Sequence, residues 1–193
     1  MRLYRLVCCI LVGAMSCGKD GPNPDLGANT RALLNDQPWD GLATAWQANV
    51  QNEPCAANTF TISITSSSPY PKGARVQAPA FCVDCGTQSL NFNRIPRAVG
   101  QYTFTPSQPC SSAVVGRVGA SYITLIGGDV IQDQYQPRPT QSGTLAITRY
   151  DTVLAEVEGT FEITLVRDTT RPAYSDAAPT ARFRNGRFKV KLQ

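Results

Sequence analysis

The chain has 193 residues, 42% of them hydrophobic, which is enough for one globular domain with a buried core. It contains no histidine, so Ser-His-Asp and Cys-His catalysis are excluded and the commonest metal ligand is missing. Its net charge of +4 is too small to indicate a nucleic-acid partner. The chain also has 15 Gly and 14 Pro and no long stretch with apolar residues at helical spacing, so we expect an all-β fold.

The N-terminal segment, MRLYRLVCCILVGAMSC, has the composition of an export signal. Two arginines precede an apolar run that is shorter than the roughly 20 residues needed to cross a bilayer. The run ends in Ala-Met-Ser-Cys, which resembles a bacterial lipobox. Residues 1–16 are therefore the predicted lipoprotein signal peptide, and Cys17 is the predicted lipid acceptor. The small residues before Cys17 also suit ordinary signal peptidase, so plain secretion is the alternative.

The segment after the signal predicts a tether followed by one domain. Cleavage before Cys17 removes Arg2 and Arg5, which leaves 16 basic and 14 acidic residues and a net charge of +2. Residues 17–29 are rich in Gly, Pro, Asn and Asp, so we expect a flexible tether there. Residues 30–193 are predicted to form a single domain.

The domain begins with TRALLNDQPW, in which Asn35-Asp36 is a predicted turn before the strand that carries Trp39. We expect Trp39 and Trp46 in the core, because the large apolar area of tryptophan is most often buried. The alternative is a sugar-stacking platform, as in a glycan-binding module.

Strict alternation of apolar and polar residues marks the strands that follow. Phe60, Ile62 and Ile64 alternate with Thr and Ser, which predicts a half-buried strand. Further strands are predicted at residues 74–81, 89–95, 100–105 and 121–131, the last interrupted by a bulge or tight turn at 127–129. This spacing of strands and turns predicts an antiparallel β-sandwich, with a barrel as the alternative.

The segment EVEGTFEITLV carries the clearest alternation. Its apolar positions share one parity: Val157, Phe161, Ile163 and Leu165. The other parity holds Glu156, Glu158 and Glu162. We interpret these glutamates as the solvated face of a strand rather than as the paired acids of a glycosidase.

The closing segment, ARFRNGRFKVKL, predicts a β-hairpin, because Asn185-Gly186 suits a two-residue type I′ turn. In that hairpin Phe183 faces Phe188 and like charges face each other, which costs a few tenths to about 1 kcal/mol per pair. The cations of this face are Arg182, Arg184, Arg187, Lys189 and Lys191. We favour pairing with Glu158 and Glu162 of the neighbouring strand. The alternative is an anionic partner, such as an acidic glycan or lipopolysaccharide phosphates.

Four cysteines remain after processing: Cys55, Cys82, Cys85 and Cys110. In the oxidising compartment of an exported protein an even number of cysteines most often forms disulfides, so we expect two bridges, with three connectivities open. The C-x-x-C spacing of Cys82 and Cys85 also occurs in zinc half-sites and in thioredoxin-like redox pairs. The zinc alternative lacks a second close pair, and the redox alternative lacks a helix in a βαβ unit.

Other chemistry has weaker support in the sequence. Asp129 and Asp133 could offer oxygen ligands to calcium, but they lack the dense Asp and Asn spacing of a calcium loop. No phosphate-binding glycine loop and no G-x-S-x-G elbow occurs. We therefore predict no cofactor, no metal and no catalytic residue.

Several motifs together resemble a family of uncharacterised outer-membrane lipoproteins from Bacteroidetes-type bacteria. They are NDQPW, RIPRAVGQYTF, GTLAITRYDTVLAEVEGTFEI and RFRNGRFKVKL, and they extend over most of residues 30–193. The family pattern has an N-G-x-x-W hairpin, where this chain has Asp36 in place of Gly, and a closing N-G-x-F hairpin. The resemblance implies a small β-sandwich-like domain held at the outer membrane, with the function of the domain unknown.

The sequence thus predicts a lipid-anchored cell-envelope protein, periplasmic or surface-facing, with a structural or interaction role and no catalysis. The alternative function is a binding module for glycans or other envelope anions, which predicts an exposed aromatic side chain near the basic residues of the closing segment. A hydrolase is the third and least favoured hypothesis.

Overall fold

The structure, a computed structural model, describes residues 29–47, 57–66, 87–107, 117–126, 130–139, 143–170 and 177–193. The described residues form strands, turns and short connections without any helix, so the all-β prediction is confirmed. The ten strands are β1 (Thr30–Leu34), β2 (Gln37–Gln47), β3 (Thr59–Ser66), β4 (Thr87–Pro96), β5 (Gly100–Pro106), β6 (Val118–Ile126), β7 (Val130–Gln136), β8 (Gly143–Asp151), β9 (Glu156–Arg167) and β10 (Thr180–Lys191).

Nine of these strands close into a barrel. Around the barrel the order is β10-β1-β2-β3-β4-β6-β5-β8-β9, and β9 pairs again with β10. Neighbours are antiparallel except β5 and β6, which are parallel. The predicted sandwich is therefore wrong and its barrel alternative is correct. Closure pairs the first and last strands of the domain and so leaves no open sheet edge between them.

Strand β7 lies at one end of the barrel. It pairs with the C-terminal half of β6 and with the last residues of β9, whereas β5 and β8 occupy the space between the N-terminal parts of the same two strands. The predicted strand at 121–131 is thus two strands, β6 and β7, which pair with each other across residues 127–129. The strands predicted at 89–95 and 100–105 are confirmed as parts of β4 and β5. The strand predicted at 74–81 lies outside the described residues.

The barrel interior is filled by side chains. Every second residue of the strands faces inward, as the alternation predicts, and the largest of these side chains are almost completely buried: Trp39, Phe60, Phe92, Tyr122, Phe161 and Phe183. The aromatic rings contact one another; Trp39 and Phe183, for example, meet edge to face with centroids 5.0 Å apart. The inside of the barrel is a packed core.

The predicted turn at Asn35-Asp36 is confirmed. Both residues have positive φ, 48° and 66°, as a type I′ turn requires, and Leu34 pairs with Gln37 across it. Asn and Asp tolerate this left-handed conformation better than other non-glycine residues.

The predicted hairpin at Asn185-Gly186 is wrong. Strand β10 runs without a turn through both residues and pairs with β9 on one edge and with β1 on the other. Only Asn185 has positive φ, 53°, and it belongs to a β-bulge, at which the register with β9 shifts between Phe183 and Gly186. Partner strands on both edges supply the backbone hydrogen bonds that a hairpin would have supplied, so the chain stays extended.

Packing explains why residue 186 is glycine. A Cβ atom there would stand 2.5 Å from Cζ of Phe161, well inside van der Waals contact. The Phe161 ring therefore covers the backbone of Gly186 inside the barrel, and the glycine leaves room for the ring.

Candidate functional site

Several predicted site residues lie outside the described residues. These are the lipid acceptor Cys17 and the disulfide candidates Cys55, Cys82, Cys85 and Cys110. Asp129, the first of the two calcium-ligand candidates, also lies outside them. Within the residues that the structure describes, no helix is long and apolar enough to cross a membrane.

The five predicted anion-binding residues all lie on β10, and their side chains point outward, but they divide into two groups. Arg182 and Arg184 lie at the end of the barrel that carries the first turn, where both guanidinium groups pair with the carboxylate of Asp36; the Arg182 Nη2 to Asp36 Oδ2 distance is 2.7 Å. These two arginines therefore already have an anionic partner within the chain.

Lys189 lies toward the other end of the barrel and also has acidic partners. Its Nζ is 3.1 Å from an oxygen of Glu156 and 3.1 Å from an oxygen of Glu158, and hydrogen bonds to these two carboxylates raise the pKa of Lys189. Arg149 of β8 approaches the same glutamates from the opposite side. The expectation that the glutamates of β9 pair with the closing cations is thus confirmed for Glu158.

The same expectation fails for Glu162. In the described part of the chain it forms no ion pair with β10, because it lies across from the bulge, where the register between the two strands shifts. Its cross-strand neighbour on the other side is Thr144 of β8.

Arg187 and Lys191 differ from the other cations of β10. Neither forms an ion pair with any residue in the described ranges, and both are exposed. Arg187 lies directly opposite Arg31 of β1. Among the described residues, Arg31 in turn forms one ion pair, with Asp40 at 3.8 Å. A like-charge pair directly opposite on neighbouring strands is unfavourable, so this part of the surface has a local excess of positive charge.

The two tryptophans have different environments. Trp39 is 2% exposed and donates its indole N–H to Gln88 Oε1 at 2.8 Å, which confirms its predicted place in the core. Trp46 is 41% exposed on the outward side of β2, so the prediction that it belongs to the core is wrong. Leu42, on the same side of β2, is 51% exposed. Trp46 points outward because its parity along β2 is opposite to that of Trp39.

The exposed tryptophan lies near Lys191, one of the two cations of β10 that form no ion pair with the described residues. Beyond the start of β1, the end of β10 lies directly beside β2: Leu192 pairs with Ala45, and the N–H of Gln193 donates to the Ala45 carbonyl at 3.0 Å. We call this surface the β10/β2 face, formed by Arg31, Leu42, Trp46, Arg187 and Lys191. It combines exposed apolar area with positive charge.

A second candidate site is at the opposite end of the barrel, where β7 contains a β-bulge. The register with β6 shifts so that Thr124 faces Asp133 and Leu125 faces Ile131, which leaves Gln132 as the extra residue. The Thr124 hydroxyl accepts the Asp133 N–H at 3.1 Å. As a result Gln132 and Asp133 are both buried, although adjacent residues of a regular strand point to opposite faces.

The bulge residues line a small cavity, which we call the bulge pocket. Its volume is about 20 Å³, which is enough for one water-sized group. The polar side chains around it belong to Asn35, Tyr122, Thr124, Gln132, Asp133, Tyr135 and Thr180, and three alanines complete the wall. This pocket is not predictable from the sequence, because nothing in VIQDQYQ distinguishes a bulged strand from a regular one.

The groups around the bulge pocket are electrically balanced. Asp133 lies 3.9 Å from the guanidinium group of Arg167. Burial and the nearby Asp133 charge raise the pKa of Tyr135 to about 12, so its phenol is neutral at physiological pH. The Tyr135 hydroxyl donates to the Ala178 carbonyl at 3.1 Å. Across the described ranges, no three His, Cys, Asp or Glu side chains are grouped to hold a metal ion.

The fold and these two sites are the basis for any functional inference, because comparison with known proteins adds nothing to them. No protein-family model, curated protein or solved structure matches this chain.

Proposed function

We propose that this chain is an exported lipoprotein, anchored through lipid on Cys17 at the outer membrane, whose barrel is a non-catalytic interaction domain. The export and lipid anchor follow from the signal-like N-terminus and the lipobox-like Ala-Met-Ser-Cys sequence. Replacement of Cys17 by Ser should abolish labelling with a fatty-acid analogue. Unchanged labelling would contradict the anchor.

One observation supports the interaction role: the exposure of Trp46 and Leu42 on the same outward side of β2. The inner faces of the strands are used by the packed core, so binding surfaces must lie on the outside or at the ends of the barrel. Exposed aromatic and aliphatic side chains that lie together on an outer face are typical of contact surfaces between proteins.

Photo-crosslinking in cells tests this role. A benzoylphenylalanine in place of Trp46 should form a covalent adduct with an envelope component. The same residue in place of Gln101, an exposed position on β5, is the control and should not form that adduct. Adducts that are identical at the two positions, or missing at both, would contradict an interaction surface on β2.

A second candidate function is the binding of an anionic envelope ligand to the β10/β2 face. Two observations support it: exposed Trp46 lies near Lys191 at the end of β10, and neither Lys191 nor Arg187, further back along β10, has an acidic partner among the described residues. An aromatic ring and nearby unpaired cations can bind an acidic saccharide by stacking and by charge. Arg182, Arg184 and Lys189 contribute less, because each already has an acidic partner in Asp36 or in the glutamates of β9.

Two double variants with the same change in net charge separate this binding from general electrostatic attraction. Arg187→Ser with Lys191→Ser should lower the salt concentration at which the protein elutes from a heparin column. Arg182→Ser with Arg184→Ser is the matched control and should change elution less. Equal changes in the two double variants would contradict a localised anion site.

A further inference from the structure

The geometry points to the bulge pocket as a binding subsite for a neutral hydroxyl group of a saccharide or polyol. This site is separate from the β10/β2 face, because it lies at the other end of the barrel, where β7 joins β6 and β9. It is also independent of the proposed lipid anchor and of the anionic ligand.

Gln132 lines the bulge pocket. The residue is 5% exposed, and neither its Oε1 nor its Nε2 has a hydrogen-bond partner among the described residues. A buried amide that lacks both partners is unfavourable, and such groups normally bind a water, an ion or a ligand. Because the amide offers one acceptor and two donors, its partner must be able both to donate and to accept.

The β-bulge of β7 directs the Gln132 side chain into the pocket. Without the bulge, Gln132 would point out of the barrel beside its inward-facing neighbour. The extra residue turns it inward, and the Thr124 hydroxyl supports the bulge by accepting the Asp133 N–H. Bulges are common beside binding sites because they redirect a side chain in this way.

The charge and the volume of the pocket favour a small neutral group. The Asp133 carboxylate faces the guanidinium group of Arg167, so the pocket needs no further counter-charge from a ligand. A volume of about 20 Å³ admits one hydroxyl but not a sugar ring, so the rest of the ligand must lie outside the pocket.

The walls of the bulge pocket suit a single hydroxyl group. The rings of Tyr122 and Tyr135 lie with their centroids 5.4 Å apart, and both residues line the pocket. The two rings are only 1% and 4% exposed, so they enclose the hydroxyl and do not stack on the sugar ring outside, and the Gln132 amide is the group that binds the hydroxyl. The pocket therefore combines an apolar wall with an unsatisfied amide.

The test uses the full-length mature protein and three neutral probes: methyl α-glucoside, methyl β-galactoside and N-acetylglucosamine trimer. Saturation-transfer NMR is recorded with each probe at about 10 mM, above the millimolar Kd that a few polar contacts provide. We expect transfer to at least one probe. Absence of transfer to all three would overturn the proposal and leave an ordered water as the partner of Gln132.

Substitutions then assign the binding to the pocket. Gln132→Leu removes the amide, and Gln132→Met removes it with an unbranched side chain of similar length in case the leucine variant does not fold; each should weaken binding by about tenfold or more. Gln134→Leu, two residues along the same strand and less buried, is the control and should bind within about twofold of the original protein. Probe binding that is unaffected by both Gln132 substitutions would also overturn the proposal.

Discussion

The replacement Gly186→Ala tests whether the closing segment is a bulged strand or a hairpin. In the barrel the new Cβ would lie 2.5 Å from Cζ of Phe161 and 2.6 Å from two other atoms of the same ring. Ordinary contact begins near 3.4 Å, so the ring must retreat by about 0.9 Å. Phe161 has little room to move, because its ring packs against Phe92 and Phe183. Overpacking of this kind should cost about 1–3 kcal/mol.

A double-mutant cycle with Phe161→Leu gives the decisive measurement. Urea unfolding, followed by tryptophan fluorescence, supplies the free energy of unfolding of each variant. Phe161→Leu alone should cost about 1–2 kcal/mol through lost packing. Because leucine relieves the clash with a Cβ at residue 186, the double variant should be more stable than the sum predicts by about 1–2 kcal/mol.

A hairpin would give a different result. In a type I′ turn the cost of alanine at residue 186 would come from positive φ and would not depend on Phe161. A coupling energy near zero would therefore refute the bulged strand. Gly119→Ala is the control: the nearest atom there is the flexible end of Arg94, at 3.3 Å, so the loss should stay below about 1 kcal/mol.

Three further predictions concern the core, the first turn and alkaline pH. Gln88→Leu should lower the free energy of unfolding by about 2–5 kcal/mol in urea titrations, because it leaves two buried donors without their acceptor, whereas exposed Gln101→Leu should change it by less than about 0.5 kcal/mol. Asp36→Asn should cost less than about 1 kcal/mol at low salt, and the loss should shrink in about 1 M NaCl, since its two ion pairs with arginine are exposed. The pKa of Tyr135 is raised to about 12 in the folded state, above the ordinary value of 10, so the protonated phenol contributes its full stabilisation below pH 10 and this contribution is lost as the pH rises toward 12. Tyr135→Phe should therefore make the decline of Tm between pH 10 and 12 shallower. An unchanged decline would contradict the raised pKa of Tyr135.

The sequence predicted the strands well because each half-buried strand has a local signature. Phe60, Ile62 and Ile64 are each 0% exposed, and the inward parity of β9 is as expected. The pairing of Lys189 with Glu158 was also foreseeable, since the two charged rows have the same period and lie close in sequence. Local alternation sufficed for these features.

Closure of the barrel was not predictable in the same way. It depends on the pairing of β1 with β10, which are separated by most of the chain, and no local pattern specifies that contact. The two turn-like pairs illustrate the same limit. Asn35-Asp36 forms a turn, whereas Asn185-Gly186 lies within a strand, because β10 has partner strands on both edges. Hydrogen bonding of β10 to its two neighbouring strands overrode the local turn preference of Asn185-Gly186.

The candidate sites were likewise predictable from the sequence only in part. The cations of β10 were identified from the sequence, but only the structure separates Arg187 and Lys191 from the cations that have acidic partners. Trp46 was placed in the core because tryptophan is usually buried, yet its parity along β2 turns it outward. The inward position of Gln132 depends on a register shift between β6 and β7, and a single polar residue in a strand does not predict one.

The accessibility of Trp46 in the native envelope tests the interaction role most directly. The protein contains two tryptophans, so the variant Trp39→Phe reports on Trp46 alone. For the purified variant, acrylamide should quench the fluorescence strongly, because Trp46 is 41% exposed. Addition of an envelope fraction from the native cells, with the fluorescence of the fraction alone subtracted, should reduce that quenching, as a partner covers the β10/β2 face. Quenching that is equally strong with and without the envelope fraction would contradict an interaction surface at Trp46.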